Sequence, residues 1–191
     1  MNRSYFFERI RHALFGGRLT PSQVDGVRRI LDYRDTHCAT MSDDQLAYVL
    51  ATIKWETGHR MIPVRESGGE RYLKTKKYYP WVGEGLVQVT WEDNARKFGA
   101  AKPGDLMEWP LALHAAFDGM THGTFTRRKL SDYIADGAVD YIGARRIING
   151  QDHARLIAQF AHAFRDALRQ AQQTTSPANI LSQREKEKSN G

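Results

Sequence analysis

Apolar residues fall along this chain in two registers, one suited to helices and one to loops that close a site. Thr20-Pro21-Ser22-Gln23 places a capping hydroxyl, a proline at the first helical position and a glutamine three residues after the cap, so a helix is predicted from there to about Tyr33. Gly16 and Gly17 mark the turn before it. The same grammar recurs at Ser42-Asp43-Asp44-Gln45, where Leu46, Val49, Leu50 and Ile53 follow with the three-and-four spacing of one helix face. His59 to Pro80 lacks periodicity and reads as a long excursion holding at most a short hairpin. Leu86 to Thr90 suits a short strand, Trp91 to Phe98 a helix closed by Gly99, and Trp109-Pro110 the start of another. From Asp152 to about Gln172, Ile157, Phe160, Ala161, Phe164 and Leu168 share one face of a core helix.

The 191 residues suit one domain over 1–173 with a single active site, followed by a disordered polar tail over 174–191, rich in Ser, Gln, Glu and Lys. No apolar run is long enough to cross a bilayer, and charged residues interrupt Met1 to Leu19, so no secretory leader is expected. The single cysteine, Cys38, excludes an internal disulfide and any cysteine-cluster zinc site. A formal net charge of +6 predicts attraction to polyanions without choosing among nucleic acid, anionic membrane and an acidic cell wall. No helix-turn-helix or zinc-finger pattern supports nucleic acid.

Glu56 lies three residues after Ile53 and seven after Val49, so it continues the inward stripe of its helix, and Gly58 then ends that helix. In the last turn, the negative end of the helix dipole and apolar neighbours such as Trp55 would both favour its protonated form, as a general acid requires. A plain helix-end glutamate paired with His59 or Arg60 fits the same spacing. Glu66 and Glu70 follow in the irregular segment as alternative second carboxylates, with Glu66 preferred. Gly83-Glu84-Gly85 is too short for a phosphate-cradling loop; its glycines instead suit a tight backbone approach beside a groove.

The run Ala51 to Gly58, the pair Tyr78-Tyr79 and the run Gly83 to Trp91, followed by Arg145-Arg146-Ile147-Ile148-Asn149-Gly150, resemble in order the family-nineteen glycoside hydrolases, chitinases and phage endolysins. The resemblance implies a mainly α, α+β lysozyme-like fold: a helical bundle-like domain with a small β-hairpin region beside the cleft. It also implies an inverting hydrolysis of β-1,4 bonds in amino-sugar polymers, without metal or other cofactor. Carried across by position, Glu56 matches the general acid, Glu66 the general base, and Thr90 the residue that helps hold the attacking water. Gln88, Asn94, Arg146 and Asn149 match substrate-binding positions, and Tyr79 and Trp81 are expected to line the groove. Two departures stand out: Trp55 replaces a common His, and Glu84 replaces an Arg, reversing a charge expected near the groove.

Within that family the short chain without a recognisable chitin-binding module resembles the endolysin branch. Peptidoglycan is therefore the expected substrate, chitin the alternative, and a non-catalytic wall-binding protein the second alternative. A monomer suffices. Such an enzyme would be made in the bacterial cytoplasm and reach the wall after the membrane is breached. The face from Arg155 to Arg169 also allows peripheral contact with an anionic membrane, against a plain core role for that helix.

Overall fold

The structure, a computed structural model, describes residues 1–135 and 137–175; the tail predicted over 174–191 lies almost wholly outside them. Among the described residues the fold is mainly α. Its elements, in order, are α1 (Arg3–Leu14), α2 (Pro21–His37), α3 (Asp43–Glu56), β1 (Val64–Arg65), α4 (Gly69–Leu73), β2 (Glu84–Gly85), α5 (Glu92–Lys97), α6 (Trp109–His122), β3 (Ile134–Ala135), β4 (Ala138–Val139) and α7 (Ala154–Gln173).

Both capping predictions hold at the atomic level. Gln23 N donates to Thr20 Oγ1 while Thr20 N donates back to Gln23 Oε1, and Ser42 and Gln45 repeat the exchange at the start of α3. Each reciprocal pair satisfies two backbone donors that a helix start leaves open. α2 runs one turn beyond Tyr33, to His37.

α3 is more than amphipathic: every residue from Leu46 to Lys54 is buried. An apolar helix wrapped on all sides belongs at the centre of a domain. α7 packs along it, and α1 packs on α7. On α7, Ile157, Phe164 and Leu168 are joined at the contact by Ala154, Ala158, Ala161, Ala167 and Ala171. Those small side chains let the two axes approach closely. The arginine-bearing face of α7 is the outside of a core helix.

α1 has no counterpart in the sequence reading. Asn2 caps it by accepting from Tyr5 N, and it buries just Phe6 and Ile10. Two apolar anchors among arginines are too sparse to set a period, yet both are fully buried. The first and last helices are also joined where Asn2 N donates to Ala171 O.

The β content is two small antiparallel ladders. Val64 pairs with Gly85 and Arg65 with Glu84, while Ile134 pairs with Val139 and Ala135 with Ala138. Leu86 to Thr90 is not a strand, a correction to the sequence reading. Its apolar side chains are buried, but the backbone turns at Leu86 to Gln88 and returns through an isolated bridge between Glu84 and Val89. Gly85 at φ 87° and Gln88 at φ 54° make that reversal, which an extended strand forbids. A buried tight loop and a buried strand share the same apolar composition, so composition could not separate them.

Candidate active site

α3 delivers Glu56 to its own C-terminus, and the chain then leaves sharply. Thr57 Oγ1 donates to Ile53 O and accepts from Met61 N, while His59 N donates to Lys54 O. The departing chain crosses α2 at Gly26, where a Cβ would fall 1.9 Å from Met61 O. Glycine at that crossing is thus a condition for placing the end of α3.

Glu56 and Glu66 line the same cleft of about 510 Å³, together with Tyr78, Gly83, Val87, Gln88, Thr90, Trp91, Asn94, Phe125, Ile148 and Asn149. Glu56 does not stand in bulk solvent: its side chain is 14% exposed. Its partner is neither His59 nor Arg60, and its niche is not simply apolar. The guanidinium of Arg145, buried on the short 3-10 turn Gly143–Ile147, donates to Glu56 Oε1 at 2.6 Å. Arg145 Nε is held in turn by Asp152 O at 3.0 Å. This ion pair fixes the carboxyl group and adds a positive charge beside it, which the dipole-and-burial argument from sequence lacked.

Glu66 follows β1 and is held at three points. Its N–H donates to Gly83 O; one carboxylate oxygen accepts from Tyr78 Oη at 2.8 Å and the other from Gly83 N at 3.0 Å. That hydrogen bond is the leading cause that pushes the Tyr78 phenol up to about 12, so it remains a donor at neutral pH. A Cβ at Gly83 would come within 2.9 Å of Gln88 Oε1, so a side chain there would displace that cleft amide. The tight approach expected of the glycines is realised there.

Glu70 is on the outside. It is exposed, pairs with Arg65, and accepts from Tyr79 Oη at 2.6 Å; these hydrogen bonds, Tyr79's first, hold its carboxyl below the usual range. Of the two second-carboxylate candidates, Glu66 is the one at the cleft.

Gln88, Thr90, Asn94 and Asn149 reach the cleft as well. Gln88 Nε2 donates to Val64 O at 2.9 Å, Thr90 Oγ1 to Gln88 O at 3.1 Å, and Asn94 Nδ2 to Thr90 O at 3.0 Å. Asn149 Oδ1 accepts from Gly150 N. These internal bonds orient the polar groups while leaving lone pairs or N–H groups for a ligand.

Three expectations need correction. Tyr79 is turned to Glu70, and Trp81 is partly buried against the core with the Arg96 guanidinium 5.4 Å from its ring; neither lines the cleft. The aromatic residues that do are Tyr78, Trp91 and Phe125, the first two meeting edge to face at 5.4 Å. Arg146 is exposed outside the lining residues, whereas its neighbour Arg145 points inward. Adjacent arginines on a 3-10 turn point about 120° apart, and the chain pattern did not fix which was inside.

Glu84 does not bring its charge to the groove. It is 4% exposed, accepts from Gly104 N at 2.8 Å and lies 3.9 Å from Arg65 Nε; burial pushes its carboxyl up against the opposing pull of those two groups. Trp55 packs on the His153 ring at 4.3 Å.

A second cavity, about 330 Å³, lies between α2 and α6 with Tyr33, His37, Cys38, His114, Asp118 and His122 among its lining residues. It lacks a pair of facing carboxylates, and Asp118 is occupied by His122 at 2.9 Å. No group of acidic, histidine or cysteine residues among the described residues has the geometry to hold a metal ion. No family model matches the chain, and neither a curated protein nor a solved structure matches it.

Proposed function

We propose that this protein is a lysozyme-like glycoside hydrolase that cleaves β-1,4 bonds of an amino-sugar polymer, with bacterial peptidoglycan as its substrate. One observation carries the reading: two carboxylates from unrelated elements, Glu56 from a helix end and Glu66 from the segment after β1, line one polar cleft with aromatic and amide side chains around them. The sequence resemblance supports it, and the cleft is large enough for a sugar unit.

Glu56 is the proton donor to the departing glycosidic oxygen, and Arg145 holds its carboxyl in place. Glu66 takes a proton from the attacking water. Each of its oxygens accepts one donor, which leaves a lone pair on each for that task. Thr90, whose hydroxyl donates a hydrogen bond to Gln88 O, presents its lone pairs to the same water. Water adds from the side opposite the leaving group, so the anomeric configuration inverts. Tyr78 and Trp91 offer ring faces and edges to the sugar, and Gln88, Asn94 and Asn149 offer hydrogen bonds to N-acetyl and hydroxyl groups.

No described helix is long and apolar enough to cross a membrane, and the proposed route to the wall is through a membrane breached by other means. The test is loss of turbidity of outer-membrane-permeabilised bacteria, with mass analysis of the released products. Glu56→Gln is expected to fold and to lose about 10²- to 10⁴-fold in rate, the usual worth of a positioned proton donor. Equal lysis by wild type and Glu56→Gln would make the protein a wall binder or a membrane disruptor. Cleavage of chitin oligomers with no release from peptidoglycan would make it a chitinase.

A further inference from the structure

Phe125, Ile148 and Asn149 line one side of the cleft. Directly after Phe125 come Thr126, Arg127, Arg128 and Lys129, all exposed. The loop they form is built, not slack. Thr126 Oγ1 donates to Arg146 O at 2.6 Å and approaches Ile147 O at 3.0 Å, tying it to the segment that carries Asn149. Arg127 N donates to Gly123 O at 2.7 Å, and Leu130 is buried behind. Phe125 rests on Gly119, where a Cβ would fall 2.3 Å from its ring. Arg127 itself is held at φ 66°, a left-handed conformation a residue with a β-carbon adopts when its surroundings impose it.

Some arginines elsewhere on this surface are paired, Arg3 with Asp32 and Asp35, Arg29 with Asp25, Arg96 with Glu92 and Arg169 with Asp44, while among the described residues others such as Arg18, Arg60 and Arg155 are not, so what sets the loop apart is its place beside the cleft. Arg127, Arg128 and Arg146 pair with no carboxylate among the described residues. Asp132, the acid nearest in sequence, is turned to Lys129 N at 3.0 Å. Three arginines without a carboxylate partner, carried by the two segments that supply Phe125, Ile148 and Asn149 to the cleft, are a surface prepared for anions borne by whatever the cleft holds.

We propose that Arg127 and Arg128, with Arg146 beside them, are specificity-determining residues that pair with carboxylates carried on the glycan bound in the cleft. The inference rests on the glycan reading of that cleft, and it favours a polymer with acidic substituents over a neutral one. Phosphodiesters on a wall polymer present a similar anion, so the test separates the two.

Binding to purified sacculi is measured by co-sedimentation at about 50 mM salt, where screening is weak. The Glu56→Gln chain is used throughout, so that no turnover intervenes. Arg127→Asn with Arg128→Ser removes both charges, and asparagine tolerates the left-handed backbone. The double variant is expected to bind native sacculi about three- to tenfold more weakly. On sacculi whose carboxylates have been amidated, the gap between the two proteins should close. Arg128→Lys should retain most of the affinity. Thermal melts verify folding; if the double variant melts early, Arg128→Ser alone, outside the strained position, carries the test with a smaller loss. Unchanged binding of the charge-removed protein overturns the proposal, as does an equal loss on native and amidated sacculi. Loss of binding by the parent after acid removal of phosphodiester polymers also overturns it, by assigning the anion to phosphate. Because binding is read without turnover, a wild-type protein that fails to cleave would count against the hydrolase reading while leaving this measurement interpretable.

Discussion

The spine made by α3 and α7 and the stretch from His59 to Trp91 both contribute to the core, but they position their cleft-facing side chains by different means. Along the spine, Ile53, Ile157, Phe164 and Leu168 are almost fully buried and interlock with alanines. In the other region Met61, Leu73, Val82, Leu86, Val87 and Val89 are buried too, but the polar side chains at the cleft are placed by hydrogen bonds: Tyr78 and Gly83 to Glu66, and Gln88 to Val64 O. The two proposed catalytic carboxylates are divided between these regions, Glu56 on the spine and Glu66 on the polar side. Their alignment therefore depends on packing for one partner and on a few hydrogen bonds for the other. Stability and activity should respond differently to changes in each region.

The largest effect on stability is expected where packing rules. Phe164→Ala on α7 removes a fully buried ring from the contact with α3 and should cost about 3–5 kcal/mol in chemical denaturation. A cost below about 1 kcal/mol would mean the spine is not the stabilising element, and the contrast would fail.

The spine holds one residue that works against it. Lys54 is 1% exposed, with its ammonium 4.4 Å from the Phe160 ring and 4.8 Å from the Phe15 ring. Burial pushes it from 10.5 down to about 8. Between those values the unfolded chain binds the proton that the folded chain has released, so wild-type stability rises with pH across that window. Below about pH 8 the cost of burying the charge is fully present. Lys54→Met should therefore stabilise the fold by about 1–3 kcal/mol at pH 7, partly offset by the lost ring contacts. The gain should shrink as pH approaches 10.5, which melting curves at several pH values would register. A gain independent of pH would place its origin in packing, not in the ammonium.

The same contrast explains what could be read from the chain. Capping pairs and apolar spacing are local, so α2, α3 and α7 were legible, with Glu56 at the end of its helix. α1 was not, because two anchors among arginines set no period. In the polar region the partners are far apart in sequence. Glu66 meets Tyr78 and Gly83, and Arg145 meets Glu56 across 89 positions, through contacts that no spacing encodes. Hence the cleft aromatics were sought at Tyr79 and Trp81, whereas Tyr78 and Trp91 line the cleft. Residues on irregular backbone do not advertise their direction: Tyr78 faces the cleft and its neighbour Tyr79 turns out to Glu70.

The smallest change in stability, with the greatest bearing on the contrast, is expected from Tyr78→Phe. The phenol is part of no apolar core; its hydroxyl serves Glu66 Oε1 at 2.8 Å and its ring meets Trp91. Phenylalanine keeps the ring and its edge contact while deleting one donor. A hydrogen bond to a carboxylate near solvent contributes about 0.5–1.5 kcal/mol net, so unfolding should shift by no more than that. Glu66 would then be held by Gly83 N alone and freer to rotate away from the water it is proposed to activate. Turnover should fall about tenfold or more while substrate affinity changes little, since a group that loses its transition-state position lowers rate without loosening ground-state binding. A loss confined to affinity would assign the Tyr78 hydroxyl to the sugar instead of to the placing of Glu66. Unchanged kinetics would mean that the polar region does not set the alignment of the second carboxylate.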